Sequence, residues 1–188
     1  MPLASIRAVS AVALATLALA ACGNAEDRAK AAADRPNTES NIPAVEEVTA
    51  RANTPQASLT PEQREELRTL AKGYIDDAAK QVAQGHAPAT GFEDAVVALQ
   101  PAQTHNWTLA LKRGVDYRII GACDNECENL DMELVDASGR VVEADTLEDS
   151  FPVINITPAA DMTYTARIKM ITCTVAPCYT AARVYTKN

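Results

Sequence analysis

Basic residues are in short supply: Lys and Arg number 17 against 25 Asp and Glu, leaving a formal charge of −8 over 188 residues. Nucleic-acid binding rests on Lys and Arg neutralising phosphates, so the balance argues against that partner. It argues equally against an electrostatic grip on anionic lipid. Aromatic residues are scarce too, at 4%. A sugar-stacking platform would need several of Trp107, Tyr117, Tyr164, Tyr179 and Tyr185 at the surface, and a chain this poor in aromatics is expected to spend most of them in its core. Histidine occurs twice, as His86 and His105, with no Gly-x-Ser-x-Gly or His-Glu-x-x-His near either. Without a partnered nucleophile or a metal motif, neither is read as catalytic and the chain is not read as an enzyme. Glu143, Asp145, Glu148 and Asp149 read as a charged loop between strands rather than as the carboxylate pair of a glycosidase.

What is present begins with an address. The run AVSAVALATLALA follows the single positive charge of Arg7. It is too short and too Ala-rich for a membrane span of about 20 apolar residues, and it suits a signal peptide over residues 1–21. The run ends in Leu19-Ala20-Ala21-Cys22, which resembles the bacterial lipobox. That resemblance implies cleavage before Cys22 and acylation of its thiol, which would anchor the chain to a bilayer without spanning it. Gly23, where an Asp would favour the inner membrane, implies an outer-membrane lipoprotein facing the periplasm or the cell surface. Removing residues 1–21 takes away Arg7 and no acid, so the formal charge moves from −8 to −9.

Setting Cys22 aside leaves Cys123, Cys127, Cys173 and Cys178. An even number outside the cytoplasm reads as two disulfides with three possible connectivities. The spacing favours the local pairs Cys123–Cys127 and Cys173–Cys178, each worth about 2 kcal/mol by loop entropy against about 4 for a link across some fifty residues. Zinc held by Cys-x3-Cys and Cys-x4-Cys is the sharper alternative, and an oxidising compartment opposes it. The spacing is not the Cys-x-x-Cys of a redox motif.

Residues 22–57 hold little apolar material beyond Ala, Ile42, Val45 and Val48 and are interrupted by Pro36, Pro43 and Pro55. Such a stretch cannot offset its own chain entropy and reads as a disordered tether. A helical segment is expected over 58–94. Thr60-Pro61-Glu62-Gln63 has the form of a capping box with Pro at the first helical position. Leu67, Leu70, Ala71, Tyr74, Ile75, Ala78 and Val82 follow at helical spacing, and Gly85 suits a stop. This stripe is expected to pack on the domain that follows. From about Ala95 the period becomes two: Trp107, Leu109 and Leu111 alternate with polar or small residues, as do Leu130, Met132 and Leu134, and later Tyr164, Ala166, Ile168 and Met170. Short strands at 8–12-residue spacing, with turns such as Asp136-Ala137-Ser138-Gly139 between them, predict a mainly β fold over 95–188. The expected architecture is an antiparallel, jelly-roll-like β-sandwich preceded by one α-helix.

Several of these elements in order resemble the bacterial pre-peptidase C-terminal domain. They are Leu99–Gln103 with Gly114 and Tyr117, the strand Asn129-Leu130-Asp131-Met132-Glu133-Leu134, the turn Asp136–Gly139, and Ile154–Pro158 with Tyr164. The resemblance covers about residues 95–188. It departs at Asn129, where the family has Asp, and at Met162, where it has Gly. It implies a β-sandwich of the kind found in exported proteins, and some relatives of that domain are associated with calcium. Asp124, Glu126, Glu128 and Asp131 are the candidate calcium ligands, since carboxylates are the hard oxygen donors that ion takes. No EF-hand pattern accompanies them, and a solvated acidic corner pinned by Cys123–Cys127 is the plainer reading. The leading expectation is a lipid-anchored, non-enzymatic binding or structural module with an envelope protein or glycan as partner. A calcium-dependent adhesion or carbohydrate-binding module is the alternative, with an envelope hydrolase behind it.

Overall fold

The computed structural model describes residues 52–188. The expected signal peptide 1–21, the expected lipidation site Cys22 and the expected tether as far as residue 51 lie outside the described residues. One long helix, α1 (Pro61–Val82), is followed by nine strands: β1 (His86–Pro88), β2 (Ala95–Leu99), β3 (Thr104–Leu111), β4 (Tyr117–Cys123), β5 (Cys127–Val135), β6 (Val141–Asp145), β7 (Val153–Ile156), β8 (Met162–Cys173) and β9 (Cys178–Lys187).

The strands form two antiparallel sheets. One runs β3-β8-β5-β6; in the other β9 pairs with β4 and β4 with β7, while β1 and β2 share the far edge of β9 one after the other. The orders β2-β9-β4-β7 and β3-β8-β5-β6 are those of a jelly roll, in which most connections cross between the sheets and β5–β6 is a hairpin within one. The fold class expected from the alternation is therefore the one observed. Leu109, Leu111, Ile119, Leu130, Met132, Leu134, Ile154, Ile168, Met170 and Val184 fill the space between the sheets, each almost wholly buried. Tyr117 joins them, and its hydroxyl accepts the Lys112 backbone N–H at 3.1 Å, fixing the turn in which Gly114 takes φ +72°.

The helix starts as its sequence dictates. Thr60 Oγ1 accepts the Gln63 N–H at 3.3 Å, and Gln63 Oε1 accepts the Thr60 N–H at 2.8 Å. It ends at Val82, whose carbonyl accepts from the Arg118 guanidinium, a cation well placed at the negative end of the helix. Ala71, Ile75 and Ala78 pack onto the outer face of the larger sheet, against Ile120, Ala122, Tyr179, Ala181 and Tyr185. Small residues on both sides let helix and sheet approach closely. Arg183 ties the layers further, with two bonds to Asp94 at 2.8 and 2.7 Å and one to Asp76 of the helix at 2.5 Å. The helix thus belongs to the domain as a third layer. Leu70, expected in the stripe, is 49% exposed. The contact is narrow, and Leu70 falls off its edge.

The order differs from the expected segments at two places. Within the helical segment 58–94, residues 86–88 form an edge strand that ends in Pro88, a position where the missing N–H is tolerated. Before residue 58, Ala57 donates to the Ala176 carbonyl at 2.7 Å and Ala176 donates to the Pro55 carbonyl at 2.8 Å, so residues 55–57 are fastened to the sandwich.

Candidate functional site at the disulfide corner

The connections β4–β5 and β8–β9 both cross from one sheet to the other at the same end of the sandwich. Each carries a local disulfide: Cys123–Cys127, with Cα atoms 5.9 Å apart, and Cys173–Cys178, at 6.0 Å. The four cysteines are therefore paired as their spacing favoured, and none is a thiolate for zinc. Each disulfide staples the larger sheet to the smaller one, and the two staples are neighbours because Cys127 faces Cys173 in the β5–β8 ladder.

Between the staples the loops are hydrogen-bonded to each other. Thr174 donates through both its backbone N–H and its hydroxyl to the Glu126 carbonyl, at 2.7 and 3.0 Å. The Asp124 N–H donates to the Tyr179 carbonyl at 3.0 Å, and the Tyr179 N–H returns a bond of 2.6 Å to Asp124 Oδ2. With residues 55–57 bound to Ala176, three chain segments meet here. They and the first turns of α1 enclose a cleft of about 250 Å³ lined by Ala57, Leu59, Leu67, Asp124, Glu126, Val175 and Pro177.

Asp124 is the unusual group in it. The residue is only 6% exposed, and its Oδ1 is buried without a hydrogen-bond partner. Burial disfavours the carboxylate and pushes its pKa up to about 6; the Tyr179 N–H works against that, and the nearby charge of Glu126 adds to it. Burial also raises the Tyr74 hydroxyl on α1, helped by the charges of Asp124 and Glu126.

Of the other expected calcium ligands, only Glu126 shares the cleft with Asp124. Glu126 and Glu128 are exposed. Asp131 lies on β5, on the outward face of the smaller sheet, opposite Lys169. Burial raises its pKa, and the Lys169 charge opposes the shift. Among the described residues no group of three or more His, Cys, Asp or Glu is placed to hold a metal ion. The geometry at Asp124 offers two carboxylates in an apolar cleft, short of the six to eight oxygens calcium takes.

The remaining groups weighed in the sequence are held in turns, packed towards the core or exposed. His86 on β1 has its Nδ1 3.2 Å from the Gln84 carbonyl and its Nε2 3.8 Å from Asp116. His105 points inward from β3, and burial lowers its pKa. Asp145 accepts the N–H groups of Leu147 at 3.2 Å and Val153 at 2.8 Å, and Asp149 accepts that of Phe151 at 3.0 Å, so both shape the β6–β7 loop. Glu143 and Glu148 are exposed. Tyr117, Tyr164, Tyr179 and Tyr185 are buried and Trp107 packs against the core, which leaves no stacking platform from these five.

Sequence reading missed Leu59, Leu67, Val175 and Pro177 as walls of one cleft. Leu67 was legible as helix stripe, but its meeting with Val175 joins positions over a hundred residues apart and leaves no local signal. No protein-family model matches the chain, and no curated protein matches it in sequence.

Proposed function

We propose that the chain is a non-enzymatic binding module of the cell envelope, held on the outer membrane by acyl chains on Cys22 and presenting the disulfide corner to a partner. The observation that carries this reading is the corner itself: a solvent-facing cleft whose walls are fixed by two inter-sheet disulfides, a capped helix and the strapped segment 55–57. Rigid walls lower the ordering cost of association, which is what a binding site needs and a mere surface does not. The resemblance of residues 95–188 to the pre-peptidase C-terminal domain supports an exported module. The jelly roll alone supports no particular ligand, since that fold serves many. The test is photo-crosslinking in cells from a benzoylphenylalanine placed at Leu67 or at Val175, with Glu143 at the far strand as control. A discrete adduct from the first two positions and none from the third supports the corner as the binding face; adducts from Glu143 alone, or from none of the three, count against it.

The calcium reading keeps one observation, the buried Asp124 Oδ1 without a hydrogen-bond partner, since Asp131 lies apart on the outward face of the smaller sheet. Thermal unfolding with calcium titrated against a magnesium control decides it. A saturable stabilisation lost in an Asp124/Glu126/Glu128 triple alanine variant would establish the ion, and a flat response would leave these acids as surface and corner.

A further inference from the structure

We infer that the cleft beside Asp124 takes an ammonium group carried on a small apolar body. The inference rests on the binding role proposed for the corner and names the chemistry of its ligand. Asp124 is more than nine-tenths buried, lines the cleft and keeps Oδ1 without a partner. A buried acceptor left unmade is costly, and a donor arriving from outside is the means of satisfying it that the protein's own groups do not supply. Glu126 stands on the same cleft. Among the described residues neither carboxylate has a Lys, Arg or His within ion-pairing distance, whereas Asp76, Asp77, Asp94, Asp116, Glu133, Asp136 and Asp161 all do.

The rest of the lining is apolar: Leu59 and Leu67 on one side, Val175 and Pro177 on the other. Anions are repelled by the two carboxylates. A sugar would find no aromatic face among these residues, and a hydrated metal ion would find hydrocarbon where it needs oxygen. An ammonium on a short alkyl chain or single ring meets both halves of the lining, through charge-assisted hydrogen bonds to Asp124 and Glu126 and burial of its carbons. The volume of about 250 Å³ sits below the usual range of drug-sized pockets, which limits the ligand to a few carbon atoms or to the end of a larger molecule such as a lysine side chain or an amine-bearing headgroup.

The test uses the full chain with Cys22→Ser, which removes the acyl site, and n-butylammonium as the probe, with n-butanol as its neutral counterpart and calcium as the competing cation. Amide chemical shifts are followed by NMR. The expected result is a saturable shift centred on Asp124, Glu126 and Tyr179 with n-butylammonium and none with n-butanol. Affinity should fall about tenfold or more in Asp124→Asn, consistent with loss of one hydrogen bond to a charged group. Val175→Trp, which fills the cleft and leaves the carboxyl in place, should weaken binding as well, and Glu128→Gln should leave it unchanged. Equal binding of n-butanol, wild-type affinity in both cleft variants, displacement by calcium at equal concentration, or no saturable shift at all would each overturn the inference. If crosslinks form at the corner while the ammonium does not bind, the chemistry assigned here fails and the binding role survives. Ammonium binding without crosslinks gives the reverse.

Discussion

Ile75→Ala is the perturbation that separates a helix belonging to this domain from a helix held out for a partner. Ile75 is fully buried against Ile120, Ala122, Tyr179, Ala181 and Tyr185 on the outer face of the larger sheet. The substitution removes three carbon atoms, worth about 2.4 kcal/mol at roughly 0.8 per buried methylene. The alanines surrounding the site have no side-chain length with which to fill the gap, so the cavity adds to that and the total should reach about 3–4 kcal/mol. Leu70→Ala is the internal control: it sits on the same helix, is 49% exposed, and should cost no more than about 0.5 kcal/mol. The assay is urea unfolding of the full chain followed by far-ultraviolet circular dichroism and by the fluorescence of Trp107, which reports the sandwich. Both probes should shift together in Ile75→Ala. A cost below about 1 kcal/mol, or loss of helical signal while the Trp107 transition stays in place, would refute the packing argument.

Three further outcomes are expected. Replacing either disulfide pair by alanines should cost at least about 2 kcal/mol in urea unfolding, the value for so short a loop, with some packing lost besides because all four cysteines are buried in the core; the chain should still fold on its larger aliphatic residues, and collapse of the fold on losing one pair would show that the staples do more than restrict the unfolded chain. Gly121→Ala should destabilise by about 1–3 kcal/mol, since a Cβ there would lie 2.9 Å from Met132 Cε and 3.0 Å from Pro152 Cγ, and an unchanged midpoint would mean that the β7 approach yields freely. Asp124 holds its proton up to about pH 6, whereas an unfolded Asp loses it near its ordinary value of 3.8. Between these limits the folded state binds more protons, so stability is greatest below pH 4 on this account and falls as pH rises through 6. Asp124→Asn should remove that slope, gaining on the order of 1–2 kcal/mol at pH 8 after allowance for solvent screening and nothing at pH 4; an equal effect at both values would contradict the assignment.

Much of the fold was legible because its signals are local. Thr60, Pro61 and Gln63 fix a helix start within four residues, and the alternation of Leu130, Met132 and Leu134 marks a strand with one dry face. The sandwich followed from the spacing of such strands. Strand β9 shows no alternation to read: Tyr179, Ala181 and Tyr185 face the helix while Ala182 and Val184 face the core, and a strand covered on both sides loses its period. Strand β1 was missed, because three residues ending in Pro88 carry no period at all. The acidic residues around Cys123–Cys127 were legible as a cluster, but not their division, with Asp124 turned under the helix and Asp131 turned onto the outer face of the smaller sheet. That division depends on which sheet each strand joins, a property of the whole topology. For the same reason the cleft was invisible: its walls come from the segment before the helix, the helix, and two crossovers far apart in the chain.

The claim beneath the rest is that this domain works from a membrane anchor at Cys22, in a compartment that keeps its four other cysteines paired. Intact mass spectrometry of the chain isolated from envelope membranes tests it most directly. The account predicts a polypeptide beginning at Cys22 and carrying an acylated diacylglyceryl mass on it, with Cys22→Ala released from the membrane. An unmodified chain in the soluble fraction, or a membrane-bound chain with Cys22 free, would contradict it.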